Sequence, residues 1–157
     1  MVEQFYFTKE DEYFMSIALE EAKKAFEEDE VPVGAVLVSN EGELIARNHN
    51  RILSLCDPTA HAEILVLREG AKKLGNYRLL GCKLYATLEP CPMCAYAMVL
   101  ARISELIFAT LDPKTGGCIS LYNLTTDKRL NHRVNIRYGL FKEEAERLLK
   151  EFFKAKR

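Results

Sequence analysis

Apolar residues recur along the chain with two different periods, and these periods predict the order of its helices and strands. A helical period predicts a first helix that begins between Thr8 and Asp11 and ends near Glu28. Its apolar stripe contains Phe14, Ala18, Ala22 and Phe26, with Met15 and Leu19 beside it. A continuous apolar run at residues 33–38 then predicts a buried strand, and the turn residues 40–42 predict a hairpin with residues 43–47.

The second half of the chain alternates between strand and helix patterns. A helix is predicted after Pro58 and Thr59, which Gly75 terminates, and a strand follows over Lys83–Leu88. The remaining predicted elements are a helix over residues 91–102, strands over Glu105–Thr110 and residues 134–138, and a terminal helix over Lys142–Ala155. Because strand-helix-strand crossovers favour parallel pairing, this order predicts an α/β fold with a helix-covered mixed sheet. The ligand site of such a sheet lies at the strand ends where helices begin.

Composition and charge narrow the functional classes. The 157 residues are 48% hydrophobic and 29% charged, which fits a single domain over residues 1–157 with its own core. The net charge of -1 excludes a strongly basic protein, so contact with a nucleic acid requires a local basic patch. The N-terminus lacks a basic segment followed by an apolar run, and residues 95–101, the longest apolar run, are too few to cross a bilayer. We therefore expect a cytoplasmic protein with no membrane partner.

The cysteines indicate a metal site rather than disulfides. Their odd number excludes complete pairing, and the five are Cys56, Cys82, Cys91, Cys94 and Cys118. In a reducing cytosol, closely spaced cysteines more often bind a metal or act in catalysis. Cys91 and Cys94 are three residues apart, so on a helix their side chains share one face and can bind one ion. Pro92 is tolerated only in the first turn of that helix, which fixes where the helix starts.

A further candidate ligand, His61, lies two residues before the carboxylate of Glu63. At that spacing the two side chains converge only near a helix start, so we expect Glu63 beside the ion and not as an equivalent ligand. Zinc accepts imidazole nitrogen and thiolate sulfur, and a catalytic zinc keeps three protein ligands and a water molecule. His61, Cys91 and Cys94 therefore predict a site for one zinc ion per chain. Zinc lowers the pKa of bound water to about 7, and Glu63 would move its proton to a substrate ring nitrogen and later to ammonia.

A closed structural zinc site is the alternative for the same residues. It requires a fourth protein ligand, and the sequence contains no second close pair of ligands. The remaining candidates are His49, His132, Cys56, Cys82 and Cys118. The combination of His-x-Glu with Pro-Cys-x-x-Cys is far more specific than either half. The combined motif therefore favours an open, catalytic site.

At these residues the chain resembles the cytidine deaminase-like superfamily, and over most of its length it resembles the bacterial tRNA-specific adenosine deaminases. The similar blocks are residues 31–36, 57–63, 76–79, 87–91, 112–117 and 131–134, and the pair Phe152-Phe153. The resemblance implies a three-layer α-β-α sandwich with a central mixed five-stranded sheet. It also implies that a homodimer converts the wobble adenosine of a tRNA anticodon to inosine. The blocks after Cys94 carry the substrate assignment, because free-base deaminases that resemble this chain usually diverge there.

The resemblance also assigns residues to substrate binding. Asn50 is expected to hydrogen-bond the flipped base, although an asparagine at a turn commonly satisfies loop backbone. Asp112 is assigned to the sugar of the target nucleotide or the loop around it, and its alternative is ordinary turn chemistry before Pro113. A third group, assigned to the RNA backbone or to the dimer partner, is Asn131, His132 and Arg133.

The terminal helix combines aromatic and basic residues. These are Phe152 and Phe153 together with Arg147, Lys150, Lys154, Lys156 and Arg157. Aromatic faces and cations together suit single-stranded RNA, whereas an amphipathic helix with a solvated basic face explains the same pattern without a ligand. Both interpretations hold if Leu148, Leu149 and one phenylalanine pack inward while the other phenylalanine faces RNA.

Two departures from the family pattern and two other functions remain open. Cys118-Ile119 stands where relatives often carry small residues. His49 stands where some carry an aromatic residue, which bears on how the pocket wall packs.

The first alternative function is deamination of a free base or nucleoside, such as guanine or cytosine. The second is a zinc-stabilised RNA-binding module without enzymatic activity.

Overall fold

The elements of the computed structural model follow the predicted order, with one short helix added. The structure describes residues 4–156. Residues 1–3 of the N-terminus, and Arg157 of the basic residues of the terminal helix, lie outside the described residues. The helices are α1 (Lys9–Glu27), α2 (Ile52–Leu55), α3 (Ala62–Leu74), α4 (Pro92–Ala101) and α5 (Lys142–Ala155). The strands are β1 (Gly34–Val38), β2 (Leu44–His49), β3 (Lys83–Leu88), β4 (Glu105–Thr110) and β5 (Asn135–Tyr138).

The strands form one mixed sheet in the order β2-β1-β3-β4-β5. β1 pairs antiparallel with both β2 and β3, whereas β3, β4 and β5 are parallel to one another. In the parallel part Leu84 pairs with Leu106 and Phe108 pairs with Tyr138. The carboxyl ends of β3 and β4 therefore meet at the same edge of the sheet, which is where a ligand site is expected.

Side-chain alternation along the strands divides the core into two halves. Val36, Tyr85 and Ile107 pack against α1 and the start of α5 on one face of the sheet. Leu37 and Leu84, on the other face, pack against α3 and α4. Since successive side chains of a strand point to opposite faces, both faces of this sheet need a helical cover. The arrangement confirms the predicted α/β fold, a three-layer α-β-α sandwich with a mixed five-stranded sheet.

The helix ends have the local causes that the sequence predicts. Thr8 caps α1 through a capping box with Asp11, in which each side chain binds the backbone N–H of the other residue. Gly75 ends α3 in the left-handed conformation, with φ of 65°, which glycine adopts without strain. Pro92 is the first residue of α4, where its missing N–H leaves no bond unmade. None of the helices within residues 4–156 is long and apolar enough to span a bilayer.

The added helix and a longer second strand are the differences from the predicted elements. α2 is a single turn whose backbone N–H groups at Leu53 and Ser54 donate to the buried carboxylate of Glu30. This cap comes from a residue more than twenty positions away, so no local pattern announces it. β2 extends to His49, two residues beyond the prediction, because its partner β1 begins at Gly34 and pairs with His49.

Candidate metal centre and its pocket

The three predicted metal ligands meet where two helices begin. His61 is the N-cap of α3 and Cys91 is the N-cap of α4, and both have extended backbone dihedrals. Neither residue makes a side-chain cap hydrogen bond, so both side chains are free to turn toward a common centre. Cys94, in the first turn of α4, is buried beneath them. The positive ends of two helix dipoles therefore point at one cluster of thiol and imidazole groups.

The distances between the ligand atoms fit a tetrahedral zinc site. His61 Nδ1 lies 3.6 Å from Cys91 Sγ and 3.5 Å from Cys94 Sγ. Zinc–sulfur bonds of about 2.3 Å and zinc–nitrogen bonds of about 2.0–2.1 Å at a tetrahedral angle place nitrogen and sulfur about 3.6 Å apart. Within residues 4–156, no fourth histidine, cysteine or carboxylate joins the three atoms in this cluster. The closed structural zinc site is therefore disfavoured, and one coordination position is left for water.

The ionisation of the three groups is mutually coupled. A hydrogen bond with the Cys94 thiol, and a weaker one with His61, lowers the pKa of Cys91 to about 4 in spite of burial. The Cys91 sulfur and burial raise the pKa of Cys94 above its usual value. The hydrogen bond with Cys91 also raises the pKa of His61. A divalent cation at the centre would favour two thiolates and a neutral imidazole, which is the donor set that zinc requires.

Glu63 stands beside the three ligands as the second residue of α3. Its side chain is only 3% exposed, and its Oε1 has no hydrogen-bond partner among the described residues. Burial raises the pKa of Glu63 to about 7, against the opposing effects of its own backbone amide and His61. A carboxyl group with a pKa near neutrality can accept a proton and return it in the same cycle. The predicted placement of Glu63 beside the ligands, and outside the ligand set, agrees with this geometry.

Asn50 makes the backbone contact that the sequence offered as one alternative, and its side chain also lines the metal pocket. Its Oδ1 accepts a hydrogen bond of 2.8 Å from the backbone N–H of Ala62 and so caps α3 in place of His61. Its Nδ2 has no partner in the described part of the chain, and the side chain lines the metal pocket. The cap fixes the side chain, which leaves the amide N–H groups for a ligand. His49 lies elsewhere, buried under α1 with its ring nitrogens 2.8 Å from Glu21 and 3.0 Å from Glu28.

The metal pocket opens into a much larger groove. The pocket has a volume of about 200 Å³ and the groove one of about 960 Å³. The residues that line both are Val31, Leu88, Asp112 and Thr115. Asp112 faces this junction, but its carboxylate accepts hydrogen bonds from the Lys114 and Thr115 amides and from the Thr115 hydroxyl. The turn chemistry predicted for Asp112 is therefore present, and it occupies both carboxylate oxygens.

The two phenylalanines of α5 have different surroundings. Phe152 is 6% exposed and packs edge-on against Phe26, with 5.9 Å between ring centroids. Phe153 is 49% exposed and lines the groove together with Lys150 and Lys156. Lys156 forms an ion pair with Asp29, so its charge is already partly neutralised. Of the aromatic pair assigned to RNA, Phe153 alone presents a face to the groove, because the Phe152 ring is used in packing.

Asn131, His132 and Arg133 do not reach the metal pocket of their own chain. They lie just before β5, separated from it by Val134. The first residue of β5 pairs with Glu105 at the start of β4, whereas the metal pocket lies at the carboxyl ends of the strands. The His132 Nε2 hydrogen-bonds the carbonyl of Ile103 at 2.7 Å, which is a structural contact. Asn131 lies in a small surface pocket beside Tyr96 of α4. The structure therefore separates this segment from the pocket by the length of the parallel strands.

The sequence predicted no role for Glu89, Lys114 or Val31, although all three lie within the blocks that carry the family resemblance. Glu89 lines the metal pocket, Lys114 lines the groove, and Val31 lines both. An acidic residue directly before Pro90-Cys91, at the end of an otherwise apolar strand, was the available signal for Glu89. Val31 and Lys114 carry no such signal, since a valine and a lysine near turns are ordinary.

Comparison with known proteins identifies the family. Residues 8–110 match the cytidine and deoxycytidylate deaminase zinc-binding region. The tRNA-specific adenosine deaminase of Aquifex aeolicus is 54% identical over 143 residues, covering 91% of this chain and 93% of that protein. A structure solved in a study of A-to-I editing by tRNA:A34 deaminases aligns with a TM-score of 0.84 and 46% identity, covering 87% of this chain and 99% of that one. The guanine deaminase of Nitrosomonas europaea aligns with a TM-score of 0.78 and 25% identity, covering 96% and 86%. The chain therefore belongs to the zinc-binding cytidine and deoxycytidylate deaminase family.

Proposed function

We propose that this enzyme converts adenosine to inosine at the wobble position of a tRNA anticodon. The observation that carries the proposal is the small metal pocket that opens into a large groove with an exposed aromatic ring and lysines. A free base would need only the pocket, whereas a nucleotide within a strand also needs a surface for its neighbours. The high identity to proteins named tRNA-specific adenosine deaminases supports the same substrate. A cytoplasmic location is part of the proposal, because cysteines remain reduced in the cytosol and are therefore available as zinc ligands.

The chemistry assigns a separate role to each pocket residue. His61, Cys91 and Cys94 would hold zinc, which when bound supplies a Lewis acid that makes hydroxide available from water near pH 7. Glu63 takes the proton of the attacking water and donates it to the ring nitrogen of adenine, since the residue lines the pocket and its Oε1 has no partner among the described residues. It then takes the second proton of that water, from the hydroxyl group now on the ring carbon, and transfers it to the amino group, which leaves as ammonia while the carbonyl group of inosine forms. Asn50 donates an amide N–H to the base and so orients the ring.

The groove supplies the contacts that a polymer requires. Phe153 offers an exposed ring on which an unstacked base can lie. Lys114 and Lys150 line the same groove and can neutralise phosphates. Asp112 is proposed to hold the turn that carries Lys114, because its carboxylate oxygens accept hydrogen bonds from the Lys114 amide and the Thr115 hydroxyl. An RNA-binding module would share these groove contacts but would have no use for a buried carboxyl group beside the metal ligands, so Glu63 distinguishes the proposal from such a module.

An anticodon stem-loop assay tests the substrate. We expect the enzyme to form inosine at the wobble adenosine of the stem-loop.

Phe153→Ala should raise KM by about five-fold to a hundred-fold, because base stacking on an aromatic side chain contributes roughly 1–3 kcal/mol. Lys150→Ala should weaken binding and reduce the salt dependence of log Kd by about 0.7 per lost phosphate contact. The measurements are inosine formation and fluorescence anisotropy across a salt series.

Matched surface variants control for the loss of an aromatic ring or a cation as such. Tyr13→Ala removes an exposed ring of α1, and Lys23→Ala removes an exposed cation of the same helix. Neither should change KM or the salt slope. Ammonia release from guanine or cytosine, with no inosine in the stem-loop, would contradict the proposal and favour the free-base alternative.

We also propose that the enzyme is a homodimer, with α4 at the contact. The outer face of α4 exposes Met93, Tyr96 and Leu100, which is 55% exposed. Asn131 and Arg133 lie exposed in the segment that borders this face. An apolar face rimmed by polar residues is typical of a protein contact. A second copy there would give Asn131, His132 and Arg133 the partner role that the family resemblance assigns.

The dimer proposal predicts a mass in solution of twice the 17.9 kDa of one chain. Leu100→Lys should produce a monomer, because it places an unpaired charge in the contact. Tyr13→Lys, which changes an exposed residue of the opposite layer, should leave the dimer intact. Light scattering after size-exclusion chromatography measures both, and a monomeric unmodified chain at micromolar concentration would rule the dimer out.

A further inference from the structure

Glu89 carries the most heavily bonded carboxylate of the described residues, and the mechanism above does not use it. Its side chain is 2% exposed and lies between the end of β3 and the metal ligand Cys91. Its Oε1 accepts the backbone N–H of Asp112 at 2.9 Å and the hydroxyl of Ser120. Its Oε2 accepts the backbone N–H groups of Cys118, Ile119 and Ser120, at 3.2, 2.8 and 2.9 Å. All five donors come from one loop, residues 112–120.

This bonding replaces the water that the Glu89 carboxyl group loses on burial. The hydrogen bonds from Ser120, Asp112 and Ile119 reach both of its oxygens. A buried carboxylate is stable only when such donors replace the lost water. Since the donors occupy both oxygens, Glu89 has no free acceptor to offer a substrate.

The same loop lies directly against the turn that carries Cys91. The backbone N–H of Gly117 donates to the carbonyl of Pro90 at 2.8 Å. Gly116 approaches Glu89 so closely that a Cβ on it would lie 2.3 Å from the carboxyl carbon. Any residue other than glycine at position 116 therefore forces the loop and the Glu89 carboxyl group apart.

The opposite side of this loop forms the wall that a substrate meets. Asp112 and Thr115 line both the metal pocket and the groove, and Pro113 and Lys114 line the groove. Glu89 thus joins two parts of the site that β4 separates along the chain: the turn that carries Cys91, which is called the metal turn here, and the loop that forms the groove wall. Breaking its bonds would release the wall without removing any metal ligand.

We propose that Glu89 is a positioning residue that holds the 112–120 loop against the metal turn and so preorganises the groove wall for the nucleic acid. The proposal rests on the proposed function for the identity of the substrate. A preorganised wall binds without the cost of ordering a loop, so its loss appears mainly in substrate affinity. His61 and Glu63 lie at the start of α3, Cys91 and Cys94 lie at the start of α4, and both helices pack on the core.

Glu89→Gln tests the role with minimal change of shape. The new amide turns one acceptor oxygen into a donor that faces backbone N–H groups, which breaks two or three bonds. We expect the variant to retain zinc and to raise KM for the stem-loop by about ten-fold, with a much smaller fall in kcat. Hydrogen–deuterium exchange should accelerate at the amides of residues 112–120 by a similar factor, and this readout does not depend on the substrate.

Gly116→Ala provides a second route to the same state. It keeps the Glu89 carboxylate chemically intact and separates it from the loop by the close contact described above. It should reproduce the raised KM and the faster exchange of residues 112–120 even if Glu89→Gln fails to fold. Asp11→Asn is the matched control, because Asp11 is also a buried carboxylate with several donors but lies at the start of α1. It should lower the melting temperature and leave KM unchanged.

The outcomes separate this inference from the proposed function. Unchanged exchange at residues 112–120 in the folded variants would overturn the role of Glu89, whatever the substrate. An unchanged KM would overturn it as well, and so would a parallel loss of zinc, kcat and stability. A lack of inosine with the unmodified enzyme, together with faster loop exchange in the variants, would instead contradict the substrate and leave the positioning role supported.

Discussion

Glu63→Ala is expected to abolish deamination while one zinc ion per chain is retained. Glu63→Ala removes the group proposed to take a proton from water and to return it to the substrate, so both proton transfers are lost. Each contributes about a hundred-fold to ten-thousand-fold to the rate. Zinc should remain because Glu63 lies beside the cluster of His61, Cys91 and Cys94 and is not one of its three members. Inosine formation at saturating stem-loop and zinc content by elemental mass spectrometry measure the two effects.

Two further variants sharpen this test. Glu63→Gln keeps the shape and removes the proton transfer, so it should be as inactive as the alanine variant and should bind the stem-loop normally. Glu41→Ala, an exposed carboxylate in the β1–β2 turn, should keep the full rate. A Glu63→Ala enzyme with a rate within about ten-fold of the unmodified one would contradict the proton-transfer role, because that loss is smaller than general catalysis provides.

Cys91→Ala is expected to lose zinc and, with it, all activity. Two remaining ligands cannot hold the ion in a tetrahedral site that already uses water in one position. The pKa of Cys91 is lowered to about 4 by its neighbours Cys94 and His61, so this thiolate is available to the metal at neutral pH. Zinc per chain should fall well below one, and the melting temperature should fall with it, since a bound metal stabilises the folded state.

The other cysteines provide the controls. Cys56 is exposed and belongs to no metal cluster of the described residues, so Cys56→Ser should retain zinc, activity and stability. A strong chelator added to the unmodified enzyme should reproduce the loss of melting temperature seen with Cys91→Ala. Stoichiometric zinc in purified Cys91→Ala would show that the ligand set has been misassigned.

Elements with strong local signals were predictable from the sequence. Lys83–Leu88, Glu105–Thr110 and Lys142–Ala155 have the bounds that the pattern predicts. Each has a continuous apolar run or a helical stripe with clear turn residues beside it, so local preference and burial agree. α2 was not predictable, because a four-residue helix has no periodicity of its own and depends on the distant carboxylate of Glu30.

The metal cluster was predictable for a different reason. Zinc restricts its ligands to a few residue types, and Cys-x-x-Cys on a helix fixes their geometry within one turn. Pro92 then fixes the first residue of that helix. The spacing of His61 and Glu63 likewise predicted that His61 joins the cluster and that Glu63 lies outside it, as the structure has them. Short-range covalent geometry therefore determined the chemistry of the centre.

Contacts across the chain decided the remainder of the site. The tertiary structure assigned Phe153 to the groove and Phe152 to the core, a choice that two adjacent aromatic residues leave open. It places Asn131 far from the pocket, because β4 and β5 run parallel and Asn131 lies near their starts, whereas the pocket lies near the carboxyl ends of the strands. It gave Glu89 five donors from residues 112–120. The sequence by itself determined the fold class and the metal chemistry, since both follow from local periodicity and ligand spacing. Only the tertiary structure decided which surfaces surround the metal, because that depends on which distant segments satisfy each other's buried polar groups.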